Sequence, residues 1–270
     1  MRLTKSPEQF GQDFRLTLLT TNAEEAAEAN RAGIQRIGVD LETIGKKRRQ
    51  SGHDTRLSYH SWEDLERIAK GINGDRLFVR INPPHRGTEQ EVETALDLGV
   101  AVIMLPYFNT ELEAADFARF VRGRAYTMLL VETPRSIVRI CEIAAVSGVD
   151  EIMIGLNDIR LGMNLVGMEF VCSAYMSTIS DVVHQAGKAF SFGGLGRHDQ
   201  DLPTNPDLIY AQYPRLGAQG SWLARSFFKD VPDDWTLEKG VQTLRERLSF
   251  WASKSDEELL EARRTLCRLQ

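Results

Sequence analysis

The sequence predicts an α/β fold, a (β/α)8 TIM barrel with additional C-terminal helices, on three observations. Short apolar runs rich in β-forming residues alternate with amphipathic stretches along the chain, the pattern of repeated β-α units around a parallel sheet. Eight such runs precede Trp235, the number that closes a barrel. Several of the amphipathic stretches also stop just before a glycine, where a left-handed helix cap is least strained. With 270 residues, 42% of them hydrophobic and 26% charged, the chain can close one large core. Residues 1–270 are therefore read as a single barrel domain, with 235–270 as a C-terminal helical extension.

Taken in order, strands are expected at Phe14–Thr21, Arg36–Leu41, Leu77–Ile81, Val100–Leu105, Tyr126–Val131, Glu151–Gly155, Ala189–Phe192 and Ser221–Ala224, each a compact apolar run. Helices are expected at Ala23–Ala32, Trp62–Ile72, Glu89–Leu98, Glu111–Val121, Ile137–Val146 and Phe170–Ala186, with Gly33, Gly99, Gly148 and Gly187 as their stops. From Trp235 to Gln270 the chain reads as polar amphipathic helix interrupted near Ser253–Ser255, suited to covering the barrel or contacting a neighbouring subunit.

Composition excludes several classes. A net charge of -5 gives no electrostatic reason to expect a nucleic-acid partner. The opening MRLTKSPEQF lacks an apolar signal core, and no apolar run approaches the roughly 18 residues of a membrane span, so a cytoplasmic protein is expected. Cys141, Cys172 and Cys267 are odd in number and widely spaced, and are read as reduced, mostly buried thiols. Nucleophile elbows, Walker loops, dinucleotide fingerprints and CxxC pairs do not occur.

Charged residues at strand ends point to chemistry. Arg80, Pro106, Glu132 and Asp158 each follow an apolar run at intervals of 26 residues, which suggests one level at the C-terminal mouth of successive strands, where barrel active sites form. Glu132 and Asp158 are a candidate pair for a hard divalent cation. The competing reading makes them helix caps or salt-bridge acids near Arg135, Arg139 and Arg160. In "LFVRINPP", Arg80 can bind a carboxylate and stabilise developing negative charge, or simply pair with a mouth acid. Pro106, Gly155 and Asn157 are further candidates to line a substrate there.

Asp40 and Glu42 end the second strand, and the long segment that follows carries Arg48, Arg49, His53, Arg56 and His60. Long ordered loops are more often functional than idle, so this one is a candidate lid, with His53 and His60 as proton-transfer groups. Either histidine can instead be an ordinary solvated side chain. "FSFGGLGR" places Gly193, Gly194, Gly196 and Arg197 after the seventh strand, where barrels often bind anions through backbone N–H groups, with Arg225 beside them after the eighth. Tight turning alone would also account for the glycines.

The segments "VDLE", "VRINP", "GVAVIMLPYFNT", "VETPRSIVRICEIAAVSGVDEIMIGLNDIRLGM" and "FGG", in that order from about Thr17 to Phe228, resemble the HpcH/HpaI aldolase and citrate lyase β-subunit family of the phosphoenolpyruvate/pyruvate-binding barrels. The resemblance implies Mg2+ or Mn2+ on Glu132 and Asp158, and Arg80 at the keto or enolate oxygen of a bound 2-oxo acid. Asp40 and Glu42 would lie behind them or hold metal-bound waters. A homo-oligomer is implied as well. The pyruvate aldolases of the family carry a catalytic His after their Asp-x-Glu, where this chain has Thr43, and the citrate lyase branch has an Asp there; the chain is similar to a divergent subgroup. The resulting expectation is a metal-dependent lyase or aldolase acting on a pyruvate-type 2-oxo acid and an aldehyde through a metal-stabilised enolate. Two alternatives stand beside it: a citrate- or malyl-type lyase acting on a CoA thioester, and a catalytically silent barrel serving as a binding subunit.

Overall fold

The computed structural model describes residues 6–45, 60–200 and 205–270. Eight parallel strands form one sheet in the order β7-β6-β5-β4-β3-β2-β1-β8: β1 Arg15–Leu19, β2 Arg36–Asp40, β3 Leu77–Arg80, β4 Val102–Leu105, β5 Tyr126–Val131, β6 Glu151–Gly155, β7 Ala189–Gly193 and β8 Gly220–Trp222. The seam between β7 and β8 is drawn together by the Gln219 N–H, which donates to the Phe190 carbonyl at 2.7 Å, and by a parallel bridge between Leu195 and Leu223. The result is the (β/α)8 barrel that the alternating pattern predicts.

Helices on the outside are placed by local chemistry. Asn22 accepts from the Glu24 and Glu25 N–H groups to start α2 (Ala23–Arg31). Reciprocal capping boxes, Ser61 with Asp64 and Thr110 with Glu113, open α3 (Trp62–Ala69) and α5 (Glu111–Val121), while α4 (Thr88–Asp97) lies between them. Gly33, Gly99, Gly148 and Gly187 all adopt positive φ, as expected of glycines that stop helices. The largest apolar cluster packs outward-facing strand residues against these helices. A smaller one, with Phe78, Val102, Met104, Met128, Leu130 and Met153, fills the barrel interior.

Two expected helices are each divided. Ile137–Val146 becomes α6 (Pro134–Ile137) and α7 (Ile140–Ala144), because Thr133 caps a turn beginning at Pro134 and Arg139 leaves helical geometry. Phe170–Ala186 becomes α9 (Glu169–Cys172) and α10 (Ala174–Gln185), divided at the extended Ser173, whose hydroxyl caps the second piece. Unanticipated helices are α1 (Pro7–Asp13), α8 (Leu156–Met163), α11 (Pro206–Tyr210) and α12 (Gln212–Arg215).

The 26-residue spacing does not mark one barrel level. Arg80 pairs with Met104 rather than Pro106, and the β5–β6 register, with Val131 opposite Ile154, places Glu132 beside Gly155. Asp158 lies three residues beyond the strand, in the first turn of α8, so it does not end a strand ahead of a loop. The reason is local: the chain turns from β6 into α8 at Gly155 with no connecting loop.

The N-terminal end of the barrel holds a buried polar cluster. Arg36 donates to both oxygens of Glu151, at 3.1 and 2.6 Å, and Ser191 and Tyr126 donate to the same carboxylate. At the chain's end, α13 (Leu237–Ala252) and α14 (Asp256–Arg268) meet around Ser253–Ser255, as expected. Arg245 of α13 donates to the carbonyls of Gly11, Gln12, Phe14 and Gly33, while Arg247 and Trp251 both bind Asp207 at the start of α11. Arg263 of α14 donates to the Cys172 carbonyl, so both helices pack on the barrel's own elements. Among the described residues no helix is long and apolar enough to cross a membrane. Only Cys172 of the three cysteines is buried; Cys141 on α7 and Cys267 on α14 are exposed residues, although the Cys267 thiol meets the Cys172 carbonyl.

Candidate active site

At the C-terminal mouth, Asp40 and Arg80 face each other across the β2–β3 register. Arg80 donates through Nε to Asp40 Oδ1 at 2.8 Å and through Nη2 to Oδ2 at 2.6 Å, a two-pronged fork, with Glu42 Oε2 3.5 Å from Nη2. Burial alone would lower the guanidinium's pKa. Asp40, Glu42 and Glu132 outweigh it and raise the value, so Arg80 stays a cation in an otherwise enclosed place. Its guanidinium carbon lies 5.2 Å from the ring centroid of Trp222, the last residue of β8.

Glu132 follows β5 directly and is 3% exposed. Its direction is set on both sides. Thr133 begins the α6 cap and donates its hydroxyl to the Phe108 carbonyl, while Tyr107 N–H donates to Glu132 Oε1 at 3.0 Å. Tyr107 does so at φ 48, a left-handed conformation that a non-glycine residue holds only at a cost of about 1–2 kcal/mol. That puts the strain immediately after Pro106, which lies buried at the end of β4. Gly155 gives Glu132 its room: a Cβ there would lie 2.6 Å from Glu132 Cβ and 2.7 Å from Oε2. Asn157 is exposed and Asp158 half-buried on the first turn of α8.

The loop leaving β2 is tied down by a residue that sequence reasoning passed over. Asn82 Oδ1 accepts from the Thr43 N–H, the Thr43 hydroxyl and the Ile44 N–H, at 2.9, 3.2 and 3.1 Å. Asn82 is itself gripped by Glu91 of α4 through its own N–H and its amide nitrogen. Thr43 therefore serves as an anchor. His60 accepts through Nδ1 from the Asp40 N–H at 3.0 Å, which fixes the proton of the neutral ring on Nε2 and sets the imidazole against the end of β2. His53, Arg48, Arg49 and Arg56 lie outside the described residues.

Gly193, which ends β7, has a packing role, whereas Gly194 has room for an ordinary contact. A Cβ at Gly193 would stand 2.0 Å from Trp222 Cδ1, and one at Gly194 would stand 3.4 Å from the Trp222 carbonyl oxygen. Arg197 does not present a free guanidinium. It pairs with Asp199 and donates to the Lys229 and Asp230 carbonyls at 2.8 and 3.0 Å, stapling the loops after β7 and β8. Arg225 opens the short 3-10 turn after β8. Nothing in a strand's apolar pattern distinguishes Trp222 from a core aromatic, so the sequence held no signal for it.

Residues 63–192, from α3 through β7, match the model of the HpcH/HpaI aldolase/citrate lyase family. The match spans just under half of the chain, and over that span the chain is similar to the family. Members of this family are lyases and aldolases, which supports an enzyme. No curated protein matches the sequence. Solved structures share the fold. A citrate lyase from Burkholderia xenovorans LB400 is 17% identical with a TM-score of 0.61, over 93% of this chain and 82% of that one. The citrate lyase beta subunit from M. tuberculosis complexed with oxaloacetate and magnesium is 17% identical with a TM-score of 0.60, over 89% and 99%. An HpcH/HpaI aldolase from Desulfitobacterium hafniense DCB-2 is 16% identical with a TM-score of 0.59, over 87% and 100%.

At this barrel mouth the donor chemistry of the two acids suits a hard divalent cation. Glu132 and Asp158 offer only oxygen, and Mg2+ commonly takes one or two carboxylates with water and substrate oxygens completing its shell. Among the described residues no group of three or more His, Cys, Asp and Glu is arranged to hold a metal.

Proposed function

We propose that this chain is a metal-dependent carbon–carbon lyase or aldolase that cleaves or forms the aldol of a pyruvate-type 2-oxo acid. The observation that carries the reading is a fixed cation, Arg80, held between Asp40 and Glu42 in the same barrel mouth as the buried carboxylate Glu132. Glu132 and Asp158 would hold Mg2+ or Mn2+, and the bound ion would supply Lewis-acid polarisation of the substrate's keto group.

The chain's own residues do the remaining work. Arg80, held by its fork to Asp40 and against the Trp222 ring, offers N–H donors to the oxygen on which negative charge develops, and because it needs little reorganisation its contribution falls on the transition state. Pro106, Gly155, Asn157, Gly193 and Gly194 border the space for the 2-oxo acid. Tyr107 keeps one oxygen of Glu132 occupied, which fixes how the carboxylate presents the other. Proton transfer to and from the substrate hydroxyl belongs to the loop after β2, with His53 or His60 as the titrating group. Asp40 and Glu42 keep that region anionic. A small 2-oxo acid and an aldehyde are the substrates, in a cytoplasmic homo-oligomer.

The test is pyruvate release from free 4-hydroxy-2-oxo acids, followed with a coupled dehydrogenase in Mg2+ or Mn2+. Release that EDTA abolishes supports the reading. Cleavage confined to CoA thioesters would replace it with a citrate- or malyl-type lyase, and inactivity on both with a binding role.

A further inference from the structure

Trp222 is half-buried at the end of β8 and belongs to the barrel's interior cluster. Two strands, β1 and β2, stand between β8 and β3 in the sheet order, so the indole meets β3 residues across the lumen. There it lies edge-on to Phe78, with centroids 5.8 Å apart at 83°, and takes the Arg80 guanidinium over its ring at 5.2 Å. Its other side is admitted by a missing side chain, since a Cβ on Gly193 would stand 2.0 Å from Cδ1 and 2.7 Å from Nε1. Three strands thus cooperate in one contact: β7 contributes the absence of a side chain, β8 the indole and β3 the cation.

The fork to Asp40 constrains Arg80 within the plane of the carboxylate. It uses Nε and Nη2, leaves Nη1 outside the pair, and permits the guanidinium to tilt about the fork. An aromatic face against a planar cation limits that tilt. We propose that Trp222 is the positioning residue for Arg80, setting the direction in which Nη1 is offered to substrate; this rests on the proposed function and names a specific determinant of it. A side chain that only fills space would leave Arg80 indifferent to its replacement.

The experiment combines Trp222→Phe, Trp222→Leu, Arg80→Lys and the double variants in the full chain, with folding checked by circular dichroism. Metal-dependent exchange of pyruvate methyl protons gives kcat and KM. Arginine side-chain 1H–15N spectra report the Arg80 Nε–H, identified by its loss in Arg80→Lys. We expect Trp222→Leu to lower kcat about ten- to a hundredfold with a smaller change in KM, as displacing a catalytic group does. Trp222→Phe should recover most of the rate. In the Arg80→Lys background the leucine should cost less than about threefold, because the two act as one unit. The Arg80 resonance should move downfield as ring shielding is lost.

A leucine penalty of equal size with and without Arg80, or an unmoved Arg80 resonance, would overturn the proposal. Absence of exchange in the wild type would defeat the functional reading instead, and the resonance would still decide whether Trp222 positions the arginine. Should Trp222→Leu not fold, Trp222→Met, which also removes the ring, carries the same decision through its resonance shift and its cycle with Arg80→Lys.

Discussion

Arg80 Nε and Nη2 meet Asp40 Oδ1 and Oδ2 at 2.8 and 2.6 Å, a planar fork at the level where β2 and β3 leave the sheet. A lysine at position 80 keeps the charge but cannot reproduce two parallel N–H bonds. We expect Arg80→Lys to fold and to lose about 10²–10³ in kcat/KM, the range seen when one transition-state donor is removed. Steady-state kinetics with a thermal melt distinguishes this from loss of fold.

Gly155 should be a control point for the metal. An alanine Cβ at that position would press on Glu132 Cβ and Oε2, neither of which can retreat while Tyr107 and the Thr133 cap hold the acid. Gly155→Ala is expected to weaken Mn2+ binding by about tenfold, the lower end of what disturbing a ligand's support costs. Titration followed by electron paramagnetic resonance of free Mn2+ measures it, and unchanged affinity would show that Glu132 is not a ligand.

Acid should attack the opposite end of the barrel. Burial alone would raise the Glu151 pKa, but Arg36, Arg15 and Ser191 reverse this and hold it down at about 2. A carboxylate with a depressed folded-state pKa contributes stability that is complete above its unfolded value of about 4.5, and that fades as pH falls toward 2. Melting temperature should therefore decline across that window. In Glu151→Gln the decline should be shallower, on a protein already about 3–5 kcal/mol less stable because Arg36 has lost its charged partner.

The Asn82 clamp should govern order in the loop after β2. Asn82→Ala removes the acceptor for the Thr43 and Ile44 amides, while Glu91 loses the side-chain amide donor and keeps the residue-82 backbone N–H. Hydrogen exchange at Thr43 and Ile44 should accelerate while β3 stays protected. Unchanged protection at both amides would mean that other contacts hold the loop.

Much of the barrel is legible in the sequence because a buried parallel strand needs a nearly continuous apolar run, and each such run here lies within about two residues of an observed strand. Arg80 and Glu132 stand out for the same reason: a charge directly after such a run must point into a mouth or be costly. Asp158 is misplaced because equal spacing along the chain is not equal height in a barrel, and a helix that starts at Leu156 directly on Gly155 leaves no loop for the acid to precede. Trp222 and Asn82 are illegible because their importance lies in partners on other strands. Arg197, read as an anion binder, serves two carbonyls that belong to the loop after β8.

The most direct measurement is solvent deuterium exchange into the methyl group of pyruvate, followed by NMR with Mg2+ or Mn2+, with EDTA and Glu132→Gln as controls. Exchange that requires metal and vanishes in Glu132→Gln is the expected result, and would establish enolisation at this mouth. Absence of exchange with either metal would contradict a pyruvate-type lyase or aldolase and leave the CoA-thioester lyase or the silent barrel in its place.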